Sequence, residues 1–222
     1  MDIGRTVRVE KEDSARCCSG GMGMRFVMAA AGFLLSTLLM TGVAGCGLFS
    51  TRDPEPPTSG SSSFTPPTSP DIVLSNLEHA VAEKNAENYV RCLVDTLNSE
   101  RRFAFTPTAA AAGRYPSTFL NWSLQSERSY FSSLLALTPK EASTSLTVSG
   151  GFTVLASDSA MFTGTYSMSI PHGVNGIATT VRGTVQFLLA PNRNSLWGIV
   201  EWIDTPLANE TSWSEWKGRF AN

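Results

Sequence analysis

Residues 159–170, SAMFTGTYSMSI, set Ala160, Phe162, Gly164, Tyr166, Met168 and Ile170 on one side of an extended chain, with Met161, Thr163, Thr165, Ser167 and Ser169 on the other. A repeat of two is the signature of a strand with one dry and one wet face. Residues 177–190, IATTVRGTVQFLLA, do the same: Ile177, Thr179, Val181, Gly183, Val185, Phe187 and Leu189 oppose Thr180, Arg182, Thr184 and Gln186. Turn chemistry at Ser157-Asp158, over residues 171–176 ending in Asn175-Gly176, and over residues 191–194 separates these runs from two more. The prediction is a four-stranded antiparallel meander over 145–155, 159–170, 177–190 and 195–204. Gly150-Gly151, Gly164 and Gly183 lie inside strands, where glycine marks a bulge or bend, so the sheet is expected to curve strongly.

Upstream the period changes. Ser69-Pro70-Asp71 supplies a capping hydroxyl, a proline for the first helical position and an acid for the first turn. Leu74, Leu77 and Val81, then Tyr89, Val90, Leu93 and Leu97, recur at helical spacing, with Glu78, Glu83, Lys84 and Glu87 on the opposite side. Asn85 and Asn88 leave open whether this is one helix or two. Residues 98–116 read as a loop. Beyond Pro116, Leu124, Phe131, Leu134 and Leu135 share a second helical face that Thr138-Pro139 ends. The tail brings Trp213, Trp216 and Phe220 to helical spacing, suited to covering an edge or a pocket mouth.

Helices first and a meander second make an α+β domain over 70–222. Its order and curvature resemble the nuclear-transport-factor-2-like, cystatin-type cone, in which a bent sheet wraps helices and leaves a pocket at its open end. Tyr89 and Cys92, then Trp122, Glu127 and Phe131, and residues 197–202 of the last strand carry the resemblance. It implies a pocket lined by Tyr89, Trp122, Phe131, Tyr166 and Trp202.

The chain begins with a different kind of segment. A basic lead-in ending at Arg25, an apolar run over 26–43 and the small residues before Cys46 form an export signal. Val43-Ala44-Gly45-Cys46 resembles the lipobox of bacterial lipoproteins, which implies transfer of a diacylglyceryl group to the Cys46 thiol, cleavage before Cys46 and acylation of the new amino terminus by a fatty acid such as palmitate. Residues 1–45 are then a signal peptide, with Met22 or Met24 as an alternative start. Residues 46–69 read as the lipidated cysteine and a tether, because five prolines and the Ser/Gly tract over 59–63 cannot bury enough apolar area to order themselves. The expected address is the bacterial cell envelope: Gly47 lacks the aspartate that marks inner-membrane retention, which favours the outer membrane, facing the periplasm.

Composition narrows the chemistry. A net charge of −2 over 222 residues provides no basic stripe for nucleic acid. Cys17 and Cys18 fall in the signal and Cys46 takes lipid, so Cys92 stands alone between apolar neighbours and is expected buried, without a disulfide. His79 and His172 read as separate solvated residues, so no metal or other cofactor is expected. Enzymes of the cone family move protons next to a carbonyl with a pocket acid, and the resemblance makes Glu201, Glu127 and Asp204 the candidate bases, with Tyr89 or Tyr166 as a donor. Glu201, between Val200 and Trp202, also reads as a wet-face partner of Arg182 on the neighbouring strand.

The reading is a lipid-anchored envelope protein whose domain binds an apolar small molecule or an envelope protein without catalysis. An isomerase- or cyclase-like enzyme of the same fold is the alternative. A structural or assembly factor docking on another envelope protein is the second, and a closed apolar core with Trp213 and Trp216 exposed would favour it.

Overall fold

The alternation in the two middle strands sets the architecture. In the computed structural model, which describes residues 62–221, β3 (Ser159–Ser169) and β4 (Thr180–Pro191) pair antiparallel with Phe162 opposite Phe187 and Met168 opposite Val181. Ala160, Phe162, Tyr166, Met168, Val181, Val185, Phe187 and Leu189 are all buried, on one face of the sheet. β2 (Ser145–Ala156) flanks β3, and β5 (Trp197–Pro206) flanks β4. The signal segment, Cys46 and the tether up to residue 61 lie outside the described residues.

The sheet has five strands, not four. β1 (Ala104–Thr106) adds to the far side of β5 in parallel, Phe105 beside Trp202, giving the order β1-β5-β4-β3-β2. Residues 98–116, read as a loop, therefore contain a strand, and their alanine run forms helix α3 (Ala109–Arg114), capped by Thr108. A three-residue strand has one inward side chain and no period to detect; the tertiary pairing makes it. The curved sheet is interrupted at Val200, where the register slips between Leu188 and Leu189. Gly150, Gly164 and Gly183 make room for close neighbours instead of bulging. A Cβ on Gly150 would lie 2.5 Å from the Gly164 backbone, and the Phe162 ring occupies the gap.

The helices are α1 (Pro70–Ala82), α2 (Ala86–Arg91), α4 (Pro116–Phe119), α5 (Leu124–Ala136) and α6 (Trp213–Phe220), besides α3. Asn85 and Asn88 do divide the first run. The chain turns at Lys84 with a φ of 53°, and the Asn85 side chain accepts from the Asn88 N–H at 3.0 Å to cap α2. The run ends soon after, so Leu97, expected inside, is exposed. Ser123 and Ser126 cap α5 reciprocally. α1 lays Val73, Leu77 and Val81 against the sheet, and Glu78 accepts from the Val148 N–H at 2.7 Å.

The end of the segment read as tether belongs to the domain. Asn76 exchanges two hydrogen bonds with the Thr65 backbone, the Pro67 carbonyl accepts from the Trp197 N–H at 2.7 Å, and the Arg91 guanidinium lies 3.8 Å above the Phe64 ring. Proline content disfavours a packed core but does not prevent an extended strip from pairing with one that already exists. Among the described residues no helix is long and apolar enough to cross a membrane.

Candidate functional site

α5 presents Glu127 one turn after its cap, on the stripe that also carries Tyr130, Phe131 and Leu134, so the helix places a carboxylate inside the apolar core. Its Oε2 accepts from the Tyr89 hydroxyl at 2.9 Å and its Oε1 from the Trp122 indole at 2.7 Å. Oε1 also pairs with the Lys217 ammonium of α6. Glu127 and Lys217 are both 0 % exposed. The ammonium sits 3.5 Å from the Trp202 ring centroid and 3.8 Å from that of Phe105, with Trp122 and Trp213 just under 6 Å away. Rings offer a cation their negative faces, so the cage offsets part of the lost hydration. The offset is incomplete: burial draws Lys217 down to about 8, against the attraction of Glu127 and Asp204.

A second acid stands nearby. Asp204 Oδ1 accepts from the Tyr166 hydroxyl at 2.8 Å, and Oδ2 accepts from the Ser214 N–H at 2.7 Å and its hydroxyl at 2.5 Å. Tyr166 in turn accepts from the Trp213 N–H at 2.6 Å, and the Trp213 indole donates to Tyr130 at 2.9 Å. Gly183 makes this possible, since a Cβ there would lie 2.5 Å from the Tyr166 hydroxyl. Burial raises the Asp204 carboxyl despite its donors, and it pushes Tyr89, Tyr130 and Tyr166 well above the usual phenol range, the carboxylates adding to the effect.

Five residues read as pocket-lining, Tyr89, Trp122, Phe131, Tyr166 and Trp202, are thus brought together around the two acids, with Tyr89 stacked on Phe131 at 4.2 Å. The space between them is filled by α6. Trp213 and Trp216, whose exposure would favour the docking reading, are fully buried, and Phe220 is nearly so. The helical tail is an interior element because its stripe, Trp213, Trp216 and Phe220, is the missing wall of the core.

Among comparisons with known proteins, matches come from solved structures alone. No family model matches the sequence, and no curated protein does. Solved structures that match include a nuclear transport factor 2-like superfamily protein from Salmonella enterica: 12 % identity, TM-score 0.43, over 62 % of this chain and 88 % of that one. A ketosteroid isomerase-like protein from Erwinia carotovora aligns at 8 % identity and TM-score 0.43, over 62 % and 93 %. A candidate calcium/calmodulin dependent protein kinase II association domain from Xanthomonas campestris aligns at 16 % and 0.45, over 72 % and 96 %. The likeness is one of fold.

Glu201 is not part of the cluster. It is half-buried on the opposite face of β5 from Trp202 and Asp204, with Leu188 and Ala104 as its strand neighbours. Arg182 is not its partner: it lies at the other end of β4, where Glu210 reaches it at 3.4 Å. Register is set by the whole meander and the slip at Val200, neither of which pairwise strand reading supplies. His172 is also not solvated; it is buried against Trp216 and Phe220, its Nδ1 accepting from the Val174 N–H at 3.2 Å and its Nε2 facing the Ala178 carbonyl at 3.1 Å. Cys92 is a buried free thiol, which burial pushes up.

Lys217 is the residue the sequence reading missed. A signal for it existed: it lies four positions after Trp213 and three before Phe220, on the same helical stripe. Open grooves at the surface of the described residues include one of about 430 Å³ bordered by Phe64, Arg91, Val94 and Trp197 and another of about 510 Å³ beside Arg114, Ile177, Glu210 and Arg219. None of the five residues read as pocket-lining borders either groove.

Proposed function

We propose that this chain is a bacterial envelope lipoprotein, anchored through acylated Cys46 at the outer membrane and facing the periplasm, whose α+β domain binds a small molecule or a protein partner without catalysis. One observation carries the non-catalytic reading. Every carboxylate oxygen of the two buried acids, Glu127 and Asp204, already accepts from a donor of this chain. A general base must also come within hydrogen-bond reach of the substrate proton it takes, and Glu127 and Asp204, 0 % and 3 % exposed, border neither surface groove. These acids serve instead to hold α6 in place. Two or more acyl chains make membrane attachment stable where one does not, which suits a domain working at a fixed surface.

The test has two arms. Cys46→Ser is expected to abolish incorporation of labelled fatty acid and leave an uncleaved precursor; unchanged labelling refutes the anchor. Purified protein incubated with a small-molecule extract of envelope is expected to retain a ligand and return it chemically unaltered. Recovery of an altered molecule refutes the non-catalytic reading, and retention of nothing refutes small-molecule binding. The docking-factor reading has its own support at the β2–β3 hairpin, where Phe152, Val154 and Leu155 are exposed, Val154 by 76 %.

A further inference from the structure

We propose that the interior of the domain is a binding site for an organic ammonium, and that Lys217 occupies it in the ligand-free protein. The inference rests on the binding reading above and names the ligand's chemistry. The residues that would recognise such a ligand are on three separate elements: Glu127 on α5 supplies the carboxylate, Phe105 on β1 and Trp202 on β5 supply the ring faces. A carboxylate plus two aromatic faces at under 4 Å selects a cation carried on a hydrocarbon stem over a neutral or anionic group.

Lys217 does not complete the site. Trp202 Nε1 is fully buried and has no hydrogen-bond partner among the described residues, although it belongs to the very ring the ammonium covers. A buried indole N–H without an acceptor is costly, and native interiors seldom leave one. A ligand pairing an ammonium with an acceptor atom answers both groups, which a lysine side chain cannot.

The occupant is also held unevenly. Trp213 and Ser214, in the first turn of α6, are tied to Tyr166, Tyr130 and Asp204. The last turn is held by the Lys217–Glu127 pair, the Trp216 indole on the Ala178 carbonyl at 2.9 Å, and Phe220 against His172. Replacing Lys217 therefore requires only the last turn to peel, with the first turn staying docked. A competing ligand enters only when that turn is open, so affinity for the native protein is reduced to the fraction of time it is open.

The probe is n-propylammonium, which reproduces Lys217 from Cγ to Nζ, against n-propanol and against sodium chloride at matched ionic strength. Lys217→Ala leaves its cavity, and n-propylammonium is expected to raise the melting temperature of that variant saturably. Binding should be about tenfold or more tighter than for n-propanol, and it should be lost when Glu127→Gln is added. The native protein provides a measurement that does not depend on the variant folding. Four of the five tryptophans are buried, and the half-buried fifth, Trp197, borders a surface groove away from Glu127. The indole N–H resonances of Trp122 and Trp202 are expected to shift with n-propylammonium while that of Trp197 stays. Equal stabilisation by n-propanol, movement of Trp197 alone, or no movement of Trp122 and Trp202 overturns the proposal. A neutral ligand retained unchanged from envelope extract would then leave the broader binding reading intact.

Discussion

Replacing Lys217 with methionine keeps most of the length of the stem and removes the charge. Glu127 is then a carboxylate with no exposure, left with the Tyr89 hydroxyl and the Trp122 indole but no counter-ion. Breaking a buried pair from one side costs about 3–5 kcal/mol, and Lys217→Met is expected in that range. Glu127→Gln strands the ammonium instead. Its cost should be of the same size, reduced by about 1–2 kcal/mol because the Phe105 and Trp202 faces remain. The double variant, Glu127→Gln with Lys217→Met, carries neither charge of the pair. The introduced glutamine can still accept from Trp122 through its carbonyl oxygen and donate to the Tyr89 oxygen through its amide, while the introduced methionine fills the lysine channel against the rings. It should therefore fall within about 1 kcal/mol of the native protein, or above it. Urea unfolding followed by tryptophan fluorescence yields all four corners of the cycle at a common slope. Single variants costing under about 1 kcal/mol each and adding in the double would refute the buried pair as the element that closes the core.

Other outcomes follow from the same geometry. Stability is expected to fall as pH rises above ~10, since Tyr89, Tyr130 and Tyr166 are displaced upward and their unfolded forms ionise first, so the folded chain holds protons the unfolded chain has lost. A urea midpoint that stays flat through that range would contradict this. Gly183→Ala drives a Cβ to within 2.5 Å of the Tyr166 hydroxyl and should cost about 2–3 kcal/mol, with the Trp213 indole resonance displaced; a silent substitution would show that Tyr166 is not held there. A chain beginning at Pro70 loses the Thr65–Asn76 exchange, the Pro67–Trp197 hydrogen bond and the Phe64–Arg91 contact. It should be less stable than one beginning at Ser62 by about 3 kcal/mol, and equal urea midpoints would return residues 62–69 to the tether.

The features legible from sequence are those whose physics is local. Alternation in 159–170 and 177–190 leaves only one register of faces, because slipping a strand by one residue would turn Phe162 and Phe187 into water. Ser69-Pro70 and Ser123 announce helix starts through caps that act over three residues. Burial of Tyr89, Glu127 and Trp202 could be anticipated from the company they keep on their own elements. What the tertiary structure alone decided are meetings between distant segments. β1 exists because β5 offers it an edge, and Arg182 faces Glu210 and not Glu201 because of where the β4–β5 register begins. Lys217 reaches Glu127 across 90 positions. Its place on the apolar stripe of α6 is a local hint, but the ammonium goes inside only because a carboxylate and ring faces from other elements are waiting there, and those become neighbours only in the folded chain.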